Sequence, residues 1–65
     1  MINPKELKEA AQGIRVLYVE DDQELRQNTA RLLGSFFTVV NTAENGLEGL
    51  EKFRESSYDL IITDI

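Results

Sequence analysis

The chain has no cysteine, no histidine and no tryptophan, and only one proline in 65 residues. Without cysteine there is no disulfide framework. Without cysteine or histidine there is no zinc centre of the usual donor set, and no thiol or imidazole catalysis. Long hydrophobic runs are also missing. Nothing approaches the roughly 20 apolar residues of a membrane-spanning helix, so no membrane contact is expected. The start, Met1-Ile2-Asn3-Pro4, lacks the charged head and apolar centre of a secretory signal, which makes the cytoplasm the expected location. Positive charge is scarce: seven Lys and Arg stand against twelve Asp and Glu, a net charge of −5. Nucleic-acid binding needs a basic surface, so no nucleic-acid contact by this chain is expected. The chemistry left is that of carboxylates, hydroxyls, lysines and the backbone. The length fits one small domain or a piece of a larger one, and a chain of about 60 residues buries only ~60% of its unfolded surface.

Local patterns divide the chain into alternating elements. Asn3, Pro4 and Glu6 read as a helix start resembling a capping box, and Gly13 as its left-handed stop. This gives a short helical extension over residues 1–13. Ile14 to Val19 is β-branched and aromatic, as in a strand buried on both faces. The acidic triplet Glu20-Asp21-Asp22 follows, with Asp22 placed to cap the next helix. That helix carries an apolar stripe of Leu25, Thr29, Leu32, Leu33 and Phe36. Phe37 to Val40 reads as a second strand. A third helix begins within Thr42 to Asn45 and carries Leu47, Leu50 and Phe53, with Glu48 and Lys52 as an i,i+4 pair. Those leucines and Phe53 are expected in the core. After Ser56-Ser57, Tyr58 to Ile65 reads as a third strand. Alternating strands and helices imply an α/β fold with parallel strands and right-handed crossovers. The sequence stops within or just after a strand, which reads as a truncated or half domain.

In open α/β sheets, ligands bind beyond the carboxyl ends of the strands. Glu20 and Asp21 follow the first strand, and Asp64 sits at the end of the third. Neighbouring strands would bring three carboxylates together. Two like charges ~4 Å apart repel by about 4 kcal/mol at an effective dielectric of 20. A hard divalent cation such as Mg²⁺ relieves this, since it prefers oxygen ligands. A carboxylate beside it can attack a phosphoryl group and form an acyl phosphate. The plainer reading of the triplet is a helix cap and a partner for the helix dipole.

Three ordered stretches carry a resemblance. Val16-Leu17-Tyr18-Val19-Glu20-Asp21-Asp22-Gln23-Glu24-Leu25-Arg26 resembles the opening of a response-regulator receiver domain, a CheY-like module of two-component signalling. Ala43-Glu44-Asn45-Gly46-Leu47-Glu48-Gly49-Leu50 is similar to that family's A-x-N-G-x-E-A-L segment, with Gly49 for the usual Ala. Tyr58 to Ile65 resembles the strand that ends in the phosphoacceptor. The resemblance covers residues 14–65. It implies the βαβαβ half of a flavodoxin-like doubly wound sheet, strand order 2-1-3. It further implies that Asp64 accepts a phosphoryl group from a sensor histidine kinase. Asp21 would bind Mg²⁺ directly, Glu20 largely through a water, and Asp64 would share the ion. The exposed face of the helix after the first strand (Glu24, Gln27, Asn28, Arg31) would help dock the kinase.

A receiver is about twice as long, and its switch Ser/Thr, site Lys and last two strands fall outside this sequence. Phosphotransfer is therefore expected of a full-length parent, with the chain itself a signalling module and not an enzyme. One alternative is a self-associating half-domain without phosphotransfer, pairing as a homodimer through the edge of the third strand. Another is a Mg²⁺-dependent phosphohydrolase of the aspartyl-phosphate type. Glu20 in that family's nucleophile position argues against it.

Overall fold

The computed structural model describes residues 3–10 and 12–63. Six elements follow in order: α1 (Pro4–Ala10), β1 (Arg15–Val19), α2 (Gln23–Leu33), β2 (Val39–Ala43), α3 (Gly46–Glu55) and β3 (Leu60–Thr63). At the start of α1, the Glu6 amide donates to Asn3 Oδ1 at 2.8 Å, and Asn3 Nδ2 donates back to Glu6 Oε1 at 3.1 Å. Gly13 takes φ +87°, the left-handed conformation that favours glycine.

All strands are parallel, in the order β2-β1-β3. This is the α/β half-sheet with order 2-1-3 that the sequence implied. The order reverses after β2, so the two crossovers put α2 and α3 on opposite faces if both are right-handed. Leu17, Val19 and Ala43 form the core on the α3 side, with Tyr58 packed against them. Val16 and Tyr18, on the other side of the pleat, are also buried.

The second strand begins later than its sequence suggests. The Phe36 and Phe37 amides both donate to the Leu33 carbonyl, at 3.0 and 2.9 Å, so Phe37 still belongs to the turn that ends α2. Pairing with β1 then runs from Val39 to Ala43 and takes in the polar Asn41 and Thr42. Asn41 is accommodated because its Nδ2 donates to the Tyr58 hydroxyl at 2.6 Å. The third strand is shorter than predicted at its start. Asp59 donates its amide to the Arg15 carbonyl and accepts the Arg15 amide on its carboxylate, both at 2.9 Å, ahead of the ladder proper.

The helix stripes require a larger correction. Leu25, Leu32, Leu47, Leu50 and Phe53 were expected in the core, yet all five are exposed, Leu32 at 62% and Leu47 at 69%. The half-buried positions of α2 are Arg26, Thr29, Ala30 and Leu33, a helical face turned away from Leu25 and Leu32. On α3 the buried position is Gly49. Leu50 and Phe53 overhang Leu17, Val19, Ile61 and Thr63, enclosing an open apolar cleft of about 270 Å³. Three strands do not offer enough sheet to cover two complete apolar faces.

Gly49 sets how closely α3 approaches. A Cβ placed there would lie 2.9 Å from Val19 Cγ2 and 3.8 Å from Ala43 Cβ. Val19 is β-branched and stiff at χ1, so it yields poorly. Gly49→Ala gains up to ~1 kcal/mol in helix propensity but overpacks at a typical cost of ~1–3 kcal/mol. The expected result is a net loss of up to about 2 kcal/mol in urea unfolding. Val19→Ala in the same chain should remove most of that loss, which a double-mutant cycle would read.

The expected Glu48–Lys52 pair is present at 3.2 Å. The lysine hydrogen bond, then the Glu44 amide, holds the Glu48 carboxyl below its ordinary value of 4.5. A lowered folded value contributes stability that is full above 4.5 and is lost as pH falls through that lower value. The group is solvent-exposed, so the expected effect is small and local. Carboxyl ¹³C titration should place Glu48 below 4.5, and the first turn of α3 should fray in acid.

Candidate functional site

The site lies where the chain leaves the carboxyl end of β1. Central strand β1 is covered on both faces, which makes its end the firmest point of the sheet. Val19 pairs with Ala43 on one side and Thr63 on the other, so all three strands end level. Glu20 follows Val19, and in the sequence Asp64 follows Thr63.

Glu20 is buried, 3% exposed, and is the one charged residue in the buried set of the described residues. Each of its polar groups is engaged. Its amide donates to the Ala43 carbonyl at 3.0 Å, extending the ladder by one bond. Its Oε2 accepts the Asp22 amide at 3.1 Å. Its carbonyl accepts Arg26 Nη1 at 2.8 Å. A buried carboxylate without such bonds would carry a large desolvation cost.

Asp21 is exposed at the mouth of the loop. Asp22 is occupied elsewhere: its Oδ1 accepts the Leu25 amide at 2.9 Å and caps α2. The triplet thus divides into a buried anchor, an exposed carboxylate and a cap. Asp64 and Ile65 lie outside the described residues. Among the described residues, no group of three potential metal-ligating side chains gathers. The two acids at hand offer only oxygen donors, a set that suits a hard cation such as Mg²⁺ and gives a softer metal no nitrogen or sulfur.

Glu24, Gln27, Asn28 and Arg31 are all exposed along α2. The residue that sequence reasoning missed is Arg26. Among the described residues, the cation that reaches the loop is this arginine. Its bonds go to backbone carbonyls, and no pattern of acidic side chains announces such a partner.

A family model described as the response regulator receiver domain matches residues 16–65. A stretch of 49 residues is 49% identical to the hybrid signal transduction histidine kinase D of Dictyostelium discoideum, covering 75% of this chain and 3% of that protein. The chemotaxis protein CheY of Halobacterium salinarum is 35% identical over 51 residues, 78% of this chain and 42% of CheY. The probable C4-dicarboxylate response regulator DctR of Halalkalibacterium halodurans is 47% identical over 55 residues, 80% of this chain and 24% of that protein. The chain spans less than half the length of each of these curated relatives. No solved structure matches it. No helix among the described residues is long and apolar enough to cross a membrane.

Proposed function

The chain belongs to the response regulator receiver domain family of two-component signalling, and from that premise we propose that it carries the phosphoryl-accepting end of such a domain. Asp64 is the acceptor. One of its carboxylate oxygens forms a bond to phosphorus as the bond from phosphorus to the histidine nitrogen of a sensor kinase breaks, leaving an acyl phosphate. Bound Mg²⁺ supplies charge neutralisation for the phosphoryl oxygens. Asp21 is the direct ligand, Glu20 acts largely through a bound water, and Asp64 completes the acidic set. The exposed face of α2 at Glu24, Gln27, Asn28 and Arg31 meets the kinase. Residues 1–13 form a helical extension to a receiver unit over residues 14–65. In this reading the parent protein is a phosphorylated signalling module of the cytoplasm, and the chain carries the acceptor part of it and is not an enzyme.

The observation that carries the reading is the level register of Val19 and Thr63. It supports convergence of the acids that follow them in the sequence. The test is mass spectrometry after incubation with a small phosphodonor and Mg²⁺. One added phosphoryl group located on Asp64 is expected in a chain extended to a whole receiver, and the same measurement on this chain shows whether residues 1–65 suffice. Steady phosphate release from generic esters would instead favour the phosphohydrolase.

A second reading applies to the 65-residue chain by itself. Among the described residues β3 pairs only with β1; its Leu60 and Ile61 are exposed on opposite faces, Ile61 beside Leu50 and Phe53. Such an edge is a template for another strand. The isolated chain is expected to self-associate through β3, and Ile61→Lys should shift light scattering toward the monomer mass. An unsubstituted chain that stays monomeric at high concentration would dismiss this reading.

A further inference from the structure

We propose that Arg26 is a positioning residue for the acidic site: its guanidinium holds the peptide between Glu20 and Asp21 in the orientation that presents both carboxylates to a divalent cation. The inference rests on the Mg²⁺ reading above and assigns a part in it to a residue outside the acidic set. Arg26 Nη1 donates to the Glu20 carbonyl at 2.8 Å and reaches the Asp21 carbonyl at 3.5 Å. The backbone of Arg26 is itself fixed, since its amide donates to the Asp22 carbonyl at 2.8 Å in the first turn of α2. The residue sits on the half-buried side of that helix.

Three hydrogen bonds fix Glu20. Two of them use backbone amides, from Glu20 itself to Ala43 and from Asp22 to the carboxylate. The third, at the carbonyl, depends on one side chain. Rotation of the 20–21 peptide would swing the Asp21 side chain away from its place, and among the described residues only Arg26 bonds the carbonyl of that peptide. Bonds to charged donors are roughly twice as strong as neutral ones, so the guanidinium restrains this carbonyl more firmly than a neutral donor would.

Two roles for Arg26 predict opposite signs. A cation near a metal site repels the metal, so a residue acting only through its charge would weaken Mg²⁺ binding, and its removal would tighten it. A positioning residue does the reverse. Substituting residues that orient metal ligands typically costs about 10- to 100-fold in affinity.

The experiment is a Mg²⁺ titration of the full chain followed by ¹H–¹⁵N and carbonyl ¹³C NMR. Arg26→Met, which keeps a long stem without donors, is expected to weaken Mg²⁺ at least tenfold and to move the Glu20 carbonyl resonance before any metal is added. Arg26→Lys retains a cationic donor and should restore both to within a few-fold. Arg26→Leu drops the charge and the donors on another helix-compatible stem, and it reads the same sign if the Met variant loses its dispersed spectrum. Saturable binding in the unsubstituted chain with equal or tighter binding in Arg26→Met and Arg26→Leu overturns the proposal alone. No saturable Mg²⁺ shift in the unsubstituted chain removes the underlying reading and the proposal with it.

Discussion

Leu17→Ala is expected to unfold most of the chain at room temperature. Leu17 is one of the two largest fully buried side chains, 1% exposed, at the middle of the central strand. It pairs with Asn41 on one side and Ile61 on the other, beneath the face that α3 covers. Truncating a buried leucine costs ~2–5 kcal/mol, from lost transfer energy plus the cavity left behind. A domain of this length holds about 3–10 kcal/mol in total, at ~0.05–0.15 kcal/mol per residue. The loss is therefore comparable to everything that keeps the chain folded, and neighbours on a thin three-stranded sheet have few partners with which to refill the space. The comparison that gives the result meaning is Leu32→Ala. The chemical change is the same, but Leu32 is 62% exposed, so the expected cost is within about 0.5 kcal/mol. Urea denaturation followed by circular dichroism reads both. Equal costs for the two substitutions would mean that α2 docks through the stripe its sequence shows.

That pair of leucines also marks how far the sequence carries. The strand from Val16 to Val19 is legible because it is apolar on both faces, a pattern that only burial explains. The cap Asp22 is legible because its chemistry is local. The docking faces of the helices are not, because an amphipathic stripe records which side would be buried in a complete sheet and not how much sheet is present. Leu47 and Phe53 are apolar for a surface that these three strands do not supply. The second strand reads as ending at Val40 because Asn41 and Thr42 are polar, yet β2 lies at the edge of the sheet among the described residues, where a polar residue such as Asn41 is tolerated once it finds a partner in Tyr58. The acidic site divides in the same manner. Glu20 and Asp21 were legible by their position after a strand, whereas Arg26 was not, because its target is a carbonyl that every residue possesses. Asp64, read as the acid ending a hydrophobic strand, lies outside the described residues.

Asp64→Asn is expected to abolish the phosphoryl mass increase altogether, in this chain or in a longer one that contains it. An amide keeps the shape of the side chain but offers no carboxylate oxygen to bond to phosphorus, so the loss is complete and not a matter of degree. The more informative comparison is among the three consecutive acids. Asp21 is exposed and free to bind a cation, so Asp21→Asn should weaken Mg²⁺ at least about tenfold and slow phosphorylation in proportion, with little change in folding. Asp22 spends its carboxylate on the Leu25 amide. Asp22→Ala should therefore cost ~1 kcal/mol of stability and leave the Mg²⁺ affinity of the folded chain nearly unchanged. Glu20 does both jobs, since its carboxylate also receives the Asp22 amide. Glu20→Gln should lower affinity and stability together, because the substitution removes a buried charge-assisted bond. Isothermal titration with Mg²⁺ alongside thermal unfolding separates the four variants. If Asp21→Asn and Asp22→Ala weakened the ion equally, the triplet would be acting only as a patch of negative charge. The division of labour drawn from its hydrogen bonds would then be wrong, although Asp64 would remain the acceptor.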